Sequence, residues 1–128
     1  MATAQEIING ALRLLAVIQT GETPTSSESD DSLDALNQML SGWADQGIDL
    51  EHADLVLGDT LPYQDNHLAA IRYSLAVELA PEFGKSITPE IADRQDRYFR
   101  GLQAFYADPS LLGSDAALDA YYNPNNYL

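Results

Sequence analysis

Cysteine is absent from this chain and cations are scarce: six Lys and Arg stand against twenty Asp and Glu, a formal charge of −14. Without cysteine there is no disulfide framework and no thiolate metal site, a composition that agrees with a reducing cytoplasm. The shortage of cations opposes ordinary duplex binding, in which Lys and Arg neutralise phosphates. A reader of DNA sequence is therefore excluded as an expectation. Long apolar runs are missing too. Glu6, Asn9, Arg13 and Gln19 interrupt the most apolar stretch, and the basic start and small-residue cleavage site of a signal peptide are lacking, so neither membrane insertion nor export is expected.

The 128 residues, 45% of them hydrophobic, suffice for one domain with a modest core. Thr3-Ala-Gln-Glu6 reads as a capping box, with Ile7, Ile8, Ala11, Leu12, Leu15 and Ile18 behind it at helical spacing and Leu14 and Val17 widening the arc; this predicts a first helix ending at Gly21. Thr25-Ser-Ser-Glu28 repeats the signature after Pro24. A second helix from near Ser26 to Gly47 follows, burying Leu33, Leu36, Leu40 and Trp43, with Ala35 and Met39 beside them. Two helices so close in sequence lie side by side. Trp43, the only tryptophan, completes the stripe as core.

Residues 48–62 break the helical period, and their Leu55-Val-Leu57 run before Gly58-Asp59 predicts an extended loop, long enough to touch a partner, with room for one small hairpin. A third helix is expected from Gln64 to Phe83, kinked at Pro81, burying Leu68, Ile71, Leu75 and Leu79 against Ala76 and Ala80. Thr88-Pro89-Glu90 starts a fourth, to Ala107, with a stripe of Ile91, Tyr98, Leu102 and Phe105 flanked by Phe99 and Tyr106. The expected fold is all-α: a small four-helix bundle, residues 1–107, with one long extended loop. Residues 108–128 hold no cation and carry Pro, Gly and Asn punctuation, so they read as an extended C-terminal docking arm. Its Leu111, Leu112, Tyr121, Tyr122, Tyr127 and Leu128 are candidate partner-binding residues. Alone, such an arm buries too little apolar area to offset about 1–2 kcal/mol of backbone entropy per residue, so it is expected to be mobile until it docks.

Several motifs resolve into structural roles. Gly84-Lys85-Ser86 copies the end of a phosphate loop, but the earlier glycine would fall at Leu79 and a helix precedes it where a strand is needed. The acidic stretches 28–34 and 45–54 lack the EF-hand order of ligands, and His52 and His67 lack zinc-site partners. No cofactor or metal is therefore expected. Paired carboxylates for glycan hydrolysis would need one isolated in an apolar setting; only Glu78 qualifies, and it falls on the polar side of helix three. The chain is not expected to be an enzyme.

Four of the six cations lie between Lys85 and Arg100, so residues 85–107 carry +1 and the remainder −15. Arg94, Arg97 and Arg100 recur every third residue beside Asp93 and Asp96, forming either a solvated, ion-paired face or a salt-bridge seam with an adjacent subunit. They are the remaining candidate partner-binding residues.

One ordered set of residues carries a resemblance: A-L-R-L-L-x-V-I (Ala11–Ile18), G-E-x-P (Gly21–Pro24), D-A-L-N-Q-M-L-x-x-W (Asp34–Trp43), the L-P of Leu61-Pro62, and L-A-x-E-L-A-P (Leu75–Pro81) with the Phe-Gly that follows. Together they resemble the head-to-tail adaptors of tailed bacteriophages, the tail accessory or head-completion proteins, over roughly residues 3–107. The resemblance implies a virion protein made in the bacterial cytoplasm, whose copies, twelve in that family, form a ring below the portal protein, extend the DNA channel and present a platform to a tail or nozzle protein. DNA would pass without specific binding. A DNA mimic or acidic regulator is the competing class, matching the charge but not the aromatic arm, and a tail-borne cell-wall hydrolase is the more remote one.

Overall fold

The computed structural model describes residues 2–107, and these are mostly helical. Strand β1 (Ala2–Thr3) leads into α1 (Ala4–Leu14); α2 (Ser26–Gly42) continues as a 3₁₀ turn, Trp43–Gln46; strand β2 (Thr60–Leu61) precedes α3 (Asp65–Leu79) and α4 (Pro89–Tyr106). Side-chain caps set three of the four starts. The Glu6 N–H donates to Thr3 Oγ1 at 3.2 Å while the Thr3 N–H donates to Glu6 Oε2 at 3.3 Å. Thr25 and Glu28 make the same reciprocal pair at 2.9 and 3.1 Å, and the Ile91 N–H donates to Thr88 Oγ1 at 3.2 Å.

Helix α3 is central, packed against α1, α2 and α4. Its buried residues cover most of its circumference: Leu68, Ile71, Leu75, Ala76 and Leu79 meet α1 and α2, and Ala70, Tyr73 and Ser74 add a face toward α4. Ile8, Leu12, Leu36, Leu40, Ile48 and Leu61 complete the sealed core, with Trp43 3% exposed.

Helix α1 ends at Leu14, about two turns before Gly21. The Val17 N–H bonds to Leu12 O at 2.9 Å and the Ala16 N–H to Arg13 O at 3.0 Å, a Schellman closure with Ala16 at φ 58°, where glycine is usual. Val17, Ile18 and Thr20 are β-branched and favour leaving the helix; the reversal still buries Leu15 and Ile18. Helix α3 likewise stops at Leu79 rather than kinking on to Phe83. Pro81 offers no N–H, and a turn closed by Lys85 N–H to Ala80 O at 2.8 Å, with Gly84 at φ 65°, ends it.

Residues 48–61 form no local hairpin. Strand β2 instead pairs antiparallel with β1, Ala2 opposite Leu61 and Thr3 opposite Thr60. The loop carbonyls of Asp59 and Leu57 accept from the Ala4 and Gln5 N–H groups at 2.8 and 3.0 Å, satisfying donors that the first turn of α1 leaves open.

On α4 the expected stripe is displaced. Ile91 and Leu102 are buried, but Tyr98 is 36% exposed and Phe105 57% exposed. The inward axis runs through Gln95, Phe99, Leu102 and Tyr106, and Tyr98 and Phe105 stand roughly 60–80° around the helix from it. Two apolar rows were available; Phe99, whose ring sits edge-on to Trp43 at 5.4 Å, fixes which one faces inward.

Candidate partner-binding surfaces

Arg94, Arg97 and Arg100 are each engaged within α4. Arg94 pairs with Glu90 at 3.0 Å, Arg97 with Asp93 at 3.2 Å and Arg100 with Asp96 at 3.1 Å, every acid four residues before its base. Arg94 Nη1 also donates to Tyr73 Oη at 3.3 Å; that hydrogen bond, and then Glu90, push its pKa up. A three-residue step turns about 60° back around the helix, so the three arginines spiral rather than forming one straight ridge. The other candidates, Leu111, Leu112, Tyr121, Tyr122, Tyr127 and Leu128, lie outside the described residues.

Beside this spiral the displaced row of α4 makes an aromatic flank. Phe105 meets the buried His67 ring edge-on at 4.5 Å, Tyr98 leans on Tyr73 at 5.5 Å, and Gln64, Asn66 and Arg97 border the shallow groove between them.

A second groove runs between α2 and the end of α3. Asp31, Asp34, Glu78 and Glu82 stand along it, and Ala35, Met39 and Trp43 form its floor. No cation lines it among the described residues. Pairing a partner's cation is the chemistry this groove offers.

A third groove, about 290 Å³, lies between α1 and α3, lined by Glu6, Ile7, Gly10, Arg13, Asp65, Leu68, Ala69 and Arg72 among others. Gly10 lets Arg72 lie across α1: a Cβ there would come within 2.5 Å of Arg72 Cδ. The Arg72 guanidinium carbon is 5.1 Å from the Tyr73 ring centroid, and its Nε is shielded from solvent with no hydrogen-bond partner among the described residues. Unlike the arginines of α4, Arg13 and Arg72 form no ion pair with any described residue.

Two features escaped the sequence reading. Asn37 fastens the loop: its Oδ1 accepts from the Leu55 N–H at 2.8 Å, its Nδ2 donates to Leu55 O at 3.1 Å, and His52 Nε2 approaches the same Oδ1 at 3.1 Å. A lone Asn in mid-helix carries no signal that distinguishes this from solvent exposure. The Arg13–Arg72 pair did leave a signal, because neither arginine has an acid three or four residues away on its own helix, whereas each arginine of α4 does.

Among the described residues there is no group of three or more His, Asp or Glu arranged to hold a metal ion, and no helix long and apolar enough to cross a membrane. No protein-family model and no curated protein matches the chain.

Proposed function

We propose that this is a structural virion protein, a head-to-tail adaptor whose copies form a ring of twelve below the portal protein of a tailed bacteriophage. What carries the reading is the ordered resemblance from Ala11 to Gly84. It is supported by where those residues lie: Leu12, Leu15, Ile18, Leu36, Leu40, Trp43, Leu61, Leu75 and Leu79 build the core, so the resemblance tracks a packing scheme rather than surface composition. In this reading residues 2–107 are the bundle of a ring subunit, the 48–61 loop braces it, and residues 108–128 are the arm that docks on the portal or a neighbouring copy.

The surface chemistry suits such a part. A net charge of −14 repels the phosphate backbone, so DNA moves through a channel lined by these subunits without sticking. The same charge keeps free subunits apart until a template gathers them. The grooves, shallow and open, offer contacts for protein surfaces and no enclosed reaction site. A tail or nozzle protein would meet the face of the ring away from the portal.

Truncation after Ala107 tests the reading. The shortened protein is expected to keep its helix content and melting temperature, yet to lose co-sedimentation with portal rings. Retained co-sedimentation would remove the arm as the docking element, and failure to fold would assign it to the subunit's own core.

A further inference from the structure

The ring reading leaves open which surfaces of neighbouring copies meet, and the distribution of unpaired charge answers it. Of the six cations, Arg94, Arg97 and Arg100 are each paired with an acid on their own helix, and Lys85 sits exposed in the turn after α3. The remaining two, Arg13 and Arg72, come from helices far apart in sequence and converge on the α1–α3 groove. Glu6 and Asp65 also line that groove, but each stands seven residues before its arginine, about 10 Å along the helix axis. The arginine end is therefore a separate, positive spot on a strongly negative molecule. Arg72 Nε itself is shielded by the packing against Gly10 and makes no hydrogen bond among the described residues.

The complementary surface is on the same chain. The α2–α3 groove presents Asp31, Asp34, Glu78 and Glu82. Arg72 and Glu78 are six residues apart on α3, which places them about 120° apart around it, so the two surfaces face different directions. A surface that fits a different surface of an identical copy makes a heterologous contact, the kind that closes into a ring when the rotation between copies is right.

We propose that these two surfaces are the halves of one subunit–subunit contact: Arg13 and Arg72 of one copy seat against Asp31, Asp34, Glu78 and Glu82 of the next. This rests on the ring reading and gives it a lateral partner, a second copy of this chain. Guanidinium forks suit paired carboxylates. The seam is thus carried by the arginines of α1 and α3, not by those of α4.

Charge reversal in the full-length chain tests it, read as self-association by sedimentation velocity and native mass spectrometry at one raised ionic strength at which the wild-type chain associates, and as copies seated on portal rings. Arg13→Glu and Glu78→Arg should each weaken association by about tenfold or more. The double variant, with the wild-type net charge, should recover most of it. Arg100→Glu, which shifts net charge as Arg13→Glu does but at a site already paired within α4, should differ little from wild type. Arg72→Glu is the second probe of the positive spot, with circular dichroism to verify folding, because Arg72 packs across Gly10 while Arg13 is exposed. Equal effects of Arg13→Glu and Arg100→Glu, or a double variant as weak as the singles, would overturn the assignment. Portal binding measured in parallel separates the claims: wild type that seats on portal rings with unmoved Arg13 and Glu78 variants sinks this contact alone, and wild type that neither self-associates nor seats sinks both.

Discussion

Replacing Asn37 by alanine removes one side chain and three hydrogen bonds, two of them to the backbone of Leu55 and one shared with His52. All three are partly buried, and a hydrogen bond of this kind contributes about 0.5–1.5 kcal/mol net, so Asn37→Ala is expected to cost about 2–3 kcal/mol. The loss should be uneven. Residues 57–61 keep their bonds to β1 and the start of α1, and Val56 keeps its bonds to Asp59, whereas the Leu55 N–H and carbonyl have no other hydrogen-bond partner among the described residues. Hydrogen exchange read residue by residue is the suitable assay, alongside the urea midpoint. The Leu55 amide should lose roughly 30-fold or more of its protection, in line with about 2 kcal/mol. A Leu55 amide that exchanges in wild type as fast as in an unfolded chain, or a midpoint unmoved by the substitution, would refute the clamp. The clamp also carries a pH signature. Burial lowers the pKa of His52 below its ordinary 6.5, with Asp54 opposing. The folded state therefore binds this proton less readily than the unfolded chain, so the contribution is intact above about pH 6.5 and is lost as pH falls through the interval down to the lowered pKa. Asn37→Asp places a carboxylate beside His52 Nε2 and should raise that pKa, which an NMR titration reads directly.

Leu36→Ala and Leu40→Ala should each cost about 2–5 kcal/mol, since both side chains are sealed between α2 and the rest of the core; unchanged melting of either variant would contradict that placement. Ala16→Gly should stabilise the protein by about 1 kcal/mol, because the left-handed conformation at φ 58° is strained for alanine and free for glycine, and a lower melting temperature would show that unfolded-state entropy outweighs the relief. Association of the free chain without a template should strengthen as ionic strength rises and screens the repulsion between copies of charge −14; stable rings at low salt would refute templated assembly.

Much of the fold was legible because its signals are local. Both capping boxes, the Thr88-Pro89 start of α4 and the stop at Gly47 are chemistry of neighbouring residues, and each appears where the sequence put it. What could not be read depends on partners distant in sequence. β2 finds β1 across 57 residues, Asn37 finds Leu55, and α4 chose between two apolar rows only because Trp43 and α3 offer a complementary surface to one of them. The end of α1 is not legible because alanine at Ala16 gives no warning of a left-handed residue. Of the candidate site, the arginines of α4 are legible by their spacing, and the same spacing supplies each with an acid four residues before it. Arg13 and Arg72 differ in having no acid three or four residues away on their own helices.

The central claim is that the chain is a ring-forming adaptor, and the most direct measurement is to mix the purified full-length protein with portal rings and count bound copies by native mass spectrometry and electron microscopy. A closed ring of twelve copies on one face of the portal, continuing its channel, is the predicted result. No bound copies, or scattered substoichiometric binding without a ring, would contradict the account.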